Sequence, residues 1–172
     1  QFDIIECIGV LHHMADPIKG WRLITDRLTP GGLMKIGLYG KANRAHVRRA
    51  REVIARSKIT DDLRSIRQFR NTLISNADHL LQSLTKHPDF YTTSSFRDLA
   101  FNRMEHQFSV DTVNAALENL GLAFIGFEFF DYSGADTAKI NQAKSSSNKS
   151  FSIIQPESYF KTRPFVFWVQ KL

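Results

Sequence analysis

The stretch from Phe2 to Tyr39 constrains this chain more than any other. It reads FDIIECIGVLHHMADPIKGWRLITDRLTPGGLMKIGLY and switches from a strand pattern to a helix pattern and back. Phe2, Ile4 and Ile5 open a short β-rich run, which Ile8, Val10 and Leu11 extend. Gly9 and His12-His13 break it, so the strand ends near Cys7. A nearly continuous apolar run predicts a strand covered on both faces, as in a parallel sheet. Asp16-Pro17 predicts a helix start: Asp caps free amide groups, and Pro is tolerated at the first helical position. Ile18, Trp21, Ile24 and Leu28 lie close to one face of that helix. Pro30-Gly31-Gly32 is expected to end it, and Leu33, Met34, Ile36 and Leu38 to form a second strand.

Strand, helix and strand in this order make a βαβ unit with a parallel pair. Ligands of such sheets sit beyond the carboxyl ends of the strands. The two loops at that edge are Glu6 to Asp16 and Tyr39 to Arg44. They are distant in sequence and expected to be neighbours in space. The geometry locates a site without naming its ligand.

The charge is concentrated further on. Residues 41–70 hold ten Lys or Arg against three Asp or Glu, so this segment carries +7 and the remainder −1 of the net +6. Val47, Ala50 and Ile54 give it an apolar stripe at helical spacing, and Leu63, Ile66, Phe69 and Leu73 continue one after a break at Thr60-Asp61. Two helices are expected. Three readings stand for their basic faces: solvated surface, a substrate-facing lid that attracts an anionic partner, and a nucleic-acid surface. The last is disfavoured, because no aromatic platform is interleaved with the charges.

Beyond the basic segment, Asn76 to Ser83 is expected to be helical and Pro88 to Ser95 a turn region. Ser109 caps a helix through Val110, Val113, Ala116, Leu117 and Leu120, closed by Gly121. Ala123 to Phe130 reads as a strand, Ser133 to Ser150 as a polar loop, and Arg163 to Val169 as the last strand. With 172 residues and 42% hydrophobic content the chain suffices for one globular domain. No apolar run approaches the length needed to cross a bilayer. Cys7 is the only cysteine, which excludes an internal disulfide and makes a reducing cytoplasm the expected location.

Phe2-Asp3-Ile4-Ile5, Val10-Leu11-His12-His13 and Leu28-Thr29-Pro30-Gly31-Gly32-Leu33 together resemble the fourth to fifth strands of class I S-adenosylmethionine-dependent methyltransferases. Arg97-Asp98-Leu99-Ala100-Phe101, Glu105-His106 and the tail Phe165 to Lys171 resemble a bacterial branch often joined to tetratricopeptide repeats. The resemblance implies an α/β fold: a partial Rossmann-like methyltransferase sheet, fourth to seventh strands, with a helical insert between the fifth and sixth. It divides the chain into a βαβ unit at 1–40, the insert at 41–107, and a final helix with two strands at 108–172. The last strand is implied to insert antiparallel between the fifth and sixth. The family's Gly-rich loop after its first strand has no counterpart here, and Gly37-Leu38-Tyr39-Gly40 has the wrong spacing and place. The chain is therefore expected to be the C-terminal part of one catalytic domain. The missing N-terminal half of that domain would be its partner, and the chain alone would bind the cofactor poorly.

The resemblance places Glu6, Cys7, Ile8 and Gly9 beside the methionine end of the cofactor, where strand-end carbonyls accept from an ammonium and Gly9 permits close approach. The alternative is that they only pack the sheet. His12, His13 and Tyr39 are weak candidates for catalysis, since His titrates near neutral pH; a turn-stabilising His and a half-buried rim Tyr are the plain alternatives. Two adjacent His with no carboxylate or Cys at ligand spacing do not predict a metal site. Arg44, Arg97, Glu105 and His106 are weak candidates for contact with the methyl acceptor, an anionic one among the alternatives. The leading expectation is methyl transfer from S-adenosylmethionine. A catalytically inactive methyltransferase-like binding module and a different doubly wound nucleotide-dependent enzyme are the other two.

Overall fold

The computed structural model describes residues 1–102, 104–128 and 165–172. The elements in chain order are β1 (Phe2–Ile8), α1 (Pro17–Arg27), β2 (Leu28–Leu38), α2 (Ala45–Arg56), α3 (Leu63–Ile74), α4 (His79–Ser83), α5 (Thr93–Phe101), α6 (Val110–Leu120), β3 (Leu122–Phe127) and β4 (Phe165–Lys171). They fall into two compact units, Gln1–Asn43 with Met104–Leu172, and Arg44–Arg103.

The first unit is a mixed, open sheet in the order β1-β2-β4-β3. β1 runs parallel to β2, while β4 lies antiparallel to both β2 and β3. The last strand in sequence thus sits between the second and third, as the resemblance implied. Helix α1 begins as its sequence dictates: Asp16 accepts from the Lys19 amide at 2.9 Å and Pro17 occupies the first turn. Helix α6 opens on a capping box between Ser109 and Thr112 and closes on Gly121 at φ +65. The two helices and one sheet face share a core built from Trp21, Leu117, Met34, Ile36, Phe165 and Phe167. Period-2 alternation sends the intervening residues to the other face. There Glu6, Lys35 and Trp168 stand in one cross-strand row.

Two expectations need correction here. β1 is not covered on both faces: Phe2 and Ile4 are about three-fifths exposed. Among the described residues its hydrogen-bonded neighbour is β2 alone, and Phe2, Ile4 and Ile8 face outward while Ile5 and Cys7 pack against the core. The Pro30-Gly31-Gly32 turn does not separate helix from strand. α1 already ends at Arg27, and β2 runs from Leu28, with a register shift opposite Phe2–Ile4 that accommodates the Pro-Gly-Gly irregularity.

The second unit packs four helices around Val47, Ala50, Ile66, Phe69, Leu73 and Phe96. Asp62 caps α3 through the Arg64 and Ser65 amides. Arg49 bridges to Asp78, the cap of α4, at 2.7 Å. The expected helix over Asn76–Ser83 is shorter, because Asn76 folds into a turn that donates to Thr72 and accepts from Asp78. Leu63, expected on the apolar stripe, is exposed on the first turn of α3. The Pro88–Ser95 region holds a single 3₁₀ turn at Pro88–Phe90 and the start of α5. The polar loop at 133–150 and the start of the last strand at 163–164 lie outside the described residues, as does the end of the third strand at 129–130.

Candidate functional site at the carboxyl edge of β1 and β2

β1 and β2 end at the same rim. Glu6 pairs with Lys35, Cys7 with Ile36 and Ile8 with Gly37. Gly37 is required by this approach: a Cβ there would stand 2.7 Å from Ile8 Cγ2 and 3.1 Å from Ile8 Cα. The chain then turns through Gly9 at φ +75, a left-handed conformation that glycine adopts without steric cost. Space around Gly9 is open, with no atom within 4 Å of where a Cβ would sit.

After Gly9 a 3₁₀ turn at Leu11–His13 folds back over the strand ends. His12 is buried, and its ring stacks on Tyr39 with centroids 3.9 Å apart. His13 meets His12 edge-on at 4.4 Å. Its Nδ1 lies 3.0 Å from the Met104 carbonyl oxygen. A carbonyl only accepts, so Nδ1 carries a proton in this bond.

An extended segment, Met104–Phe108, braces this turn. The His106 amide donates to the His12 carbonyl at 2.8 Å, and the Phe108 amide to the Tyr39 carbonyl at 2.8 Å. The Lys41 amide returns a bond to the Phe108 carbonyl. The segment unites His12, His13, Tyr39, Glu105 and His106 in one unit. Sequence reasoning missed this role for Met104 and Phe108, because the bonds are made by backbone groups and the segment has no periodic signature. Beside it, His106, Gln107 and Phe108 line an open groove with Pro17, Ile18 and Ala116, about 350 Å³ in volume.

The other expected site residues fare differently. Glu6 directs its carboxylate to Lys35 at 3.8 Å, on the sheet face away from α1 and α6. Lys35 is held more closely by Glu128 at 2.8 Å, which also accepts from Trp168 Nε1. The bond to Glu128 leads in raising the Lys35 pKa above its ordinary value. Glu6 therefore has both a partner and an exposed position. Cys7 is half-buried beside the core, and burial pushes its thiol pKa up, away from nucleophile behaviour. Ile8 is exposed. Arg44 and Arg97 belong to the helical unit, where Arg44 is buried and Arg97 donates to the Asp61 carbonyl. Glu105 accepts from the Gln107 side chain. Among the described residues no group of three or more His, Cys, Asp and Glu is arranged to hold a metal ion. No helix of the described residues is long and apolar enough to cross a membrane.

No model of a known protein family matches the sequence. An uncharacterized protein of a Synechococcus strain is 30% identical over a 138-residue alignment that covers 74% of this chain and 32% of that protein. Two solved structures of PKMT2 from Rickettsia typhi resemble the fold. The one in complex with AdoHcy has a TM-score of 0.66 at 14% identity, covering 98% of this chain and 35% of that one. The other has a TM-score of 0.65 with the same identity and coverage. The chain thus spans about a third of the length of each relative it matches. At this identity the likeness is one of fold, and it shows the chain to be a mixed, open α/β sheet of partial Rossmann-like methyltransferase topology.

Proposed function

We propose that this chain forms the acceptor-side part of an S-adenosylmethionine-dependent methyltransferase domain. One observation carries the reading: the parallel β1–α1–β2 unit ends at a glycine with open space before it, in a fold shared with an AdoHcy-bound structure. The backbone from Glu6 to Gly9 would hold the methionine end of the cofactor, and the open side of Gly9 leaves room for it. S-adenosylmethionine, when bound, supplies an electrophilic methyl group on a sulfonium.

The chain's own residues orient and exclude water. The His12–Tyr39 stack walls the rim with two rings whose positions are fixed by the backbone bonds from His106 and Phe108. His13, whose ring is held at Nδ1 by the Met104 carbonyl, is the proposed base for an acceptor that must lose a proton. Orientation of this kind accounts for roughly 7–11 kcal/mol of barrier in well-aligned systems. Arg44, Arg97, Glu105 and His106 remain the proposed acceptor contacts. The sequence holds no Gly-rich cofactor loop, and the relatives are about three times as long. The rest of the cofactor site is therefore assigned to a preceding half of the same domain. A lone thiol such as Cys7 stays reduced in the cytoplasm, the proposed location.

Calorimetric titration of AdoHcy tests the reading. The longer protein should bind it, Gly9→Val should weaken binding by about tenfold or more, and the 172-residue chain alone should show little heat. A longer protein that takes up no AdoHcy at millimolar concentration would overturn the proposal.

A further inference from the structure

The helical unit has a groove of its own, independent of the methyl-transfer reading. It is about 410 Å³ in volume and lies along the C-terminal end of α2, the loop after it, and α3. Val53, Ile59, Phe69 and Leu81 give it an apolar floor, and Lys58 and Gln68 stand on its rim.

The end of α2 is built in an unusual way. The Ile59 amide donates to the Ile54 carbonyl and the Lys58 amide to the Ala55 carbonyl, the pair of bonds that defines a Schellman motif. Its left-handed position is ordinarily glycine. Here it is Lys58 at φ +51, a position-specific strain that a glycine would relieve. Departures of this kind are retained where they serve a function. At this position the departure puts an ammonium on the rim of the groove.

The surrounding charges point the same way. Arg56, Lys58, Arg64 and Arg67 are exposed and make no ion pair among the described residues. The Asp62 carboxylate is engaged locally: it accepts from the Arg64 and Ser65 amides and from the Thr60 and Ser65 hydroxyls. The Gln68 carboxamide makes no hydrogen bond among the described residues and is exposed beside the floor. The floor is mostly aliphatic, with Phe69 buried, so it offers no exposed ring on which bases could stack.

We propose that this groove docks an acidic protein segment. An apolar side chain of the segment lies on Val53, Ile59 and Leu81, the Gln68 carboxamide bonds its main chain, and carboxylates on either side meet Lys58 and Arg64. Apolar anchoring with flanking charge complementarity gives such a site both affinity and orientation.

Fluorescence anisotropy on the 172-residue chain tests it, with a labelled peptide of alternating Glu and Leu, its Gln-for-Glu counterpart, and a single-stranded oligonucleotide of equal charge. The Glu peptide should bind, more weakly as salt rises. Lys58→Gly and Arg64→Glu should each weaken it about tenfold, and Lys19→Glu on α1 should leave it unchanged. Lys58→Gly should also raise the melting temperature, which separates lost binding from lost folding. Equal binding of the Gln peptide, tighter binding of the oligonucleotide, unaltered binding by Lys58→Gly, or no binding of the Glu peptide would each overturn the proposal.

Discussion

β1 and β2 lie side by side in register, and both read in the sequence as apolar strands. Their surroundings differ sharply. Ile36 on β2 is fully buried, while Ile4 on β1 is 61% exposed. β2 has β1 on one side and β4 on the other, with α1 and α6 over its inner face. Among the described residues β1 has one strand neighbour, and half of its apolar side chains look outward. Apolar patterning states how much cover a strand requires. It does not state whether that cover is supplied by the same stretch of chain.

The largest expected effect sharpens this contrast. Ile36→Ala should cost about 2–5 kcal/mol of unfolding free energy, the range for truncating a buried aliphatic side chain. Ile4→Ala in the same chain should stay within about 0.5 kcal/mol. Urea titrations of both variants check the pair, and equal losses would erase the distinction. In the longer protein that the proposed function requires, Ile4→Ala should become costly, because a preceding half of the domain would cover β1.

A second substitution probes how tightly the two strands approach. Gly37→Val puts side-chain atoms where Ile8 already stands, at 2.7 Å from Cγ2 even for the Cβ. Ile8 cannot move far, because its Cα is itself 3.1 Å away. The expected loss is about 1–3 kcal/mol, as for other overpacked sites, and thermal melts would show it. A smaller effect tests the covered side. Ser109→Ala removes the cap of α6, the helix that lies over the buried face, and should cost about 1 kcal/mol. A Ser109→Asp variant should recover most of that stability.

Much of this fold is legible in the sequence because short-range chemistry decides it. Asp16-Pro17, Ser109 and Gly121 fix the ends of α1 and α6 through caps and a left-handed turn that depend on neighbouring residues only. The parallel pairing of β1 with β2 follows from the single helix between them. The position of β4 came from resemblance, and no local pattern contains it. Long-range partners were beyond reach. Nothing near Glu6 announces Lys35, and nothing near Lys35 announces Glu128 and Trp168. The buried state of His12 depends on Tyr39 and on backbone bonds from residues 106 and 108, so adjacency to His13 gave no hint of which imidazole would be covered. Nothing near Arg97 announces the Asp61 carbonyl to which one of its guanidinium nitrogens donates. The strain at Lys58 has no sequence signature, since a lysine at a helix end is ordinary until its φ is known.

The smallest expected effect concerns Cys7, which with Ile5 faces inward from β1. It stands opposite Ile36 in register and packs beside the core. Burial raises its thiol pKa above 9.0, and a bond with the Leu11 backbone offsets only part of the shift. The sign follows from proton counts. Above pH 9 the unfolded chain loses the thiol proton while the folded chain keeps it, so stability falls as pH rises through that window and is intact below it. Cys7→Ala should remove this alkaline loss from the melting curves. Iodoacetamide alkylation gives an independent measure, since only the thiolate reacts. The folded chain should react with a midpoint above pH 9, and the urea-unfolded chain at a lower one. Coincident midpoints would mean that β1 is as open on its inner side as on its outer one, and the contrast with β2 would then extend to the whole strand.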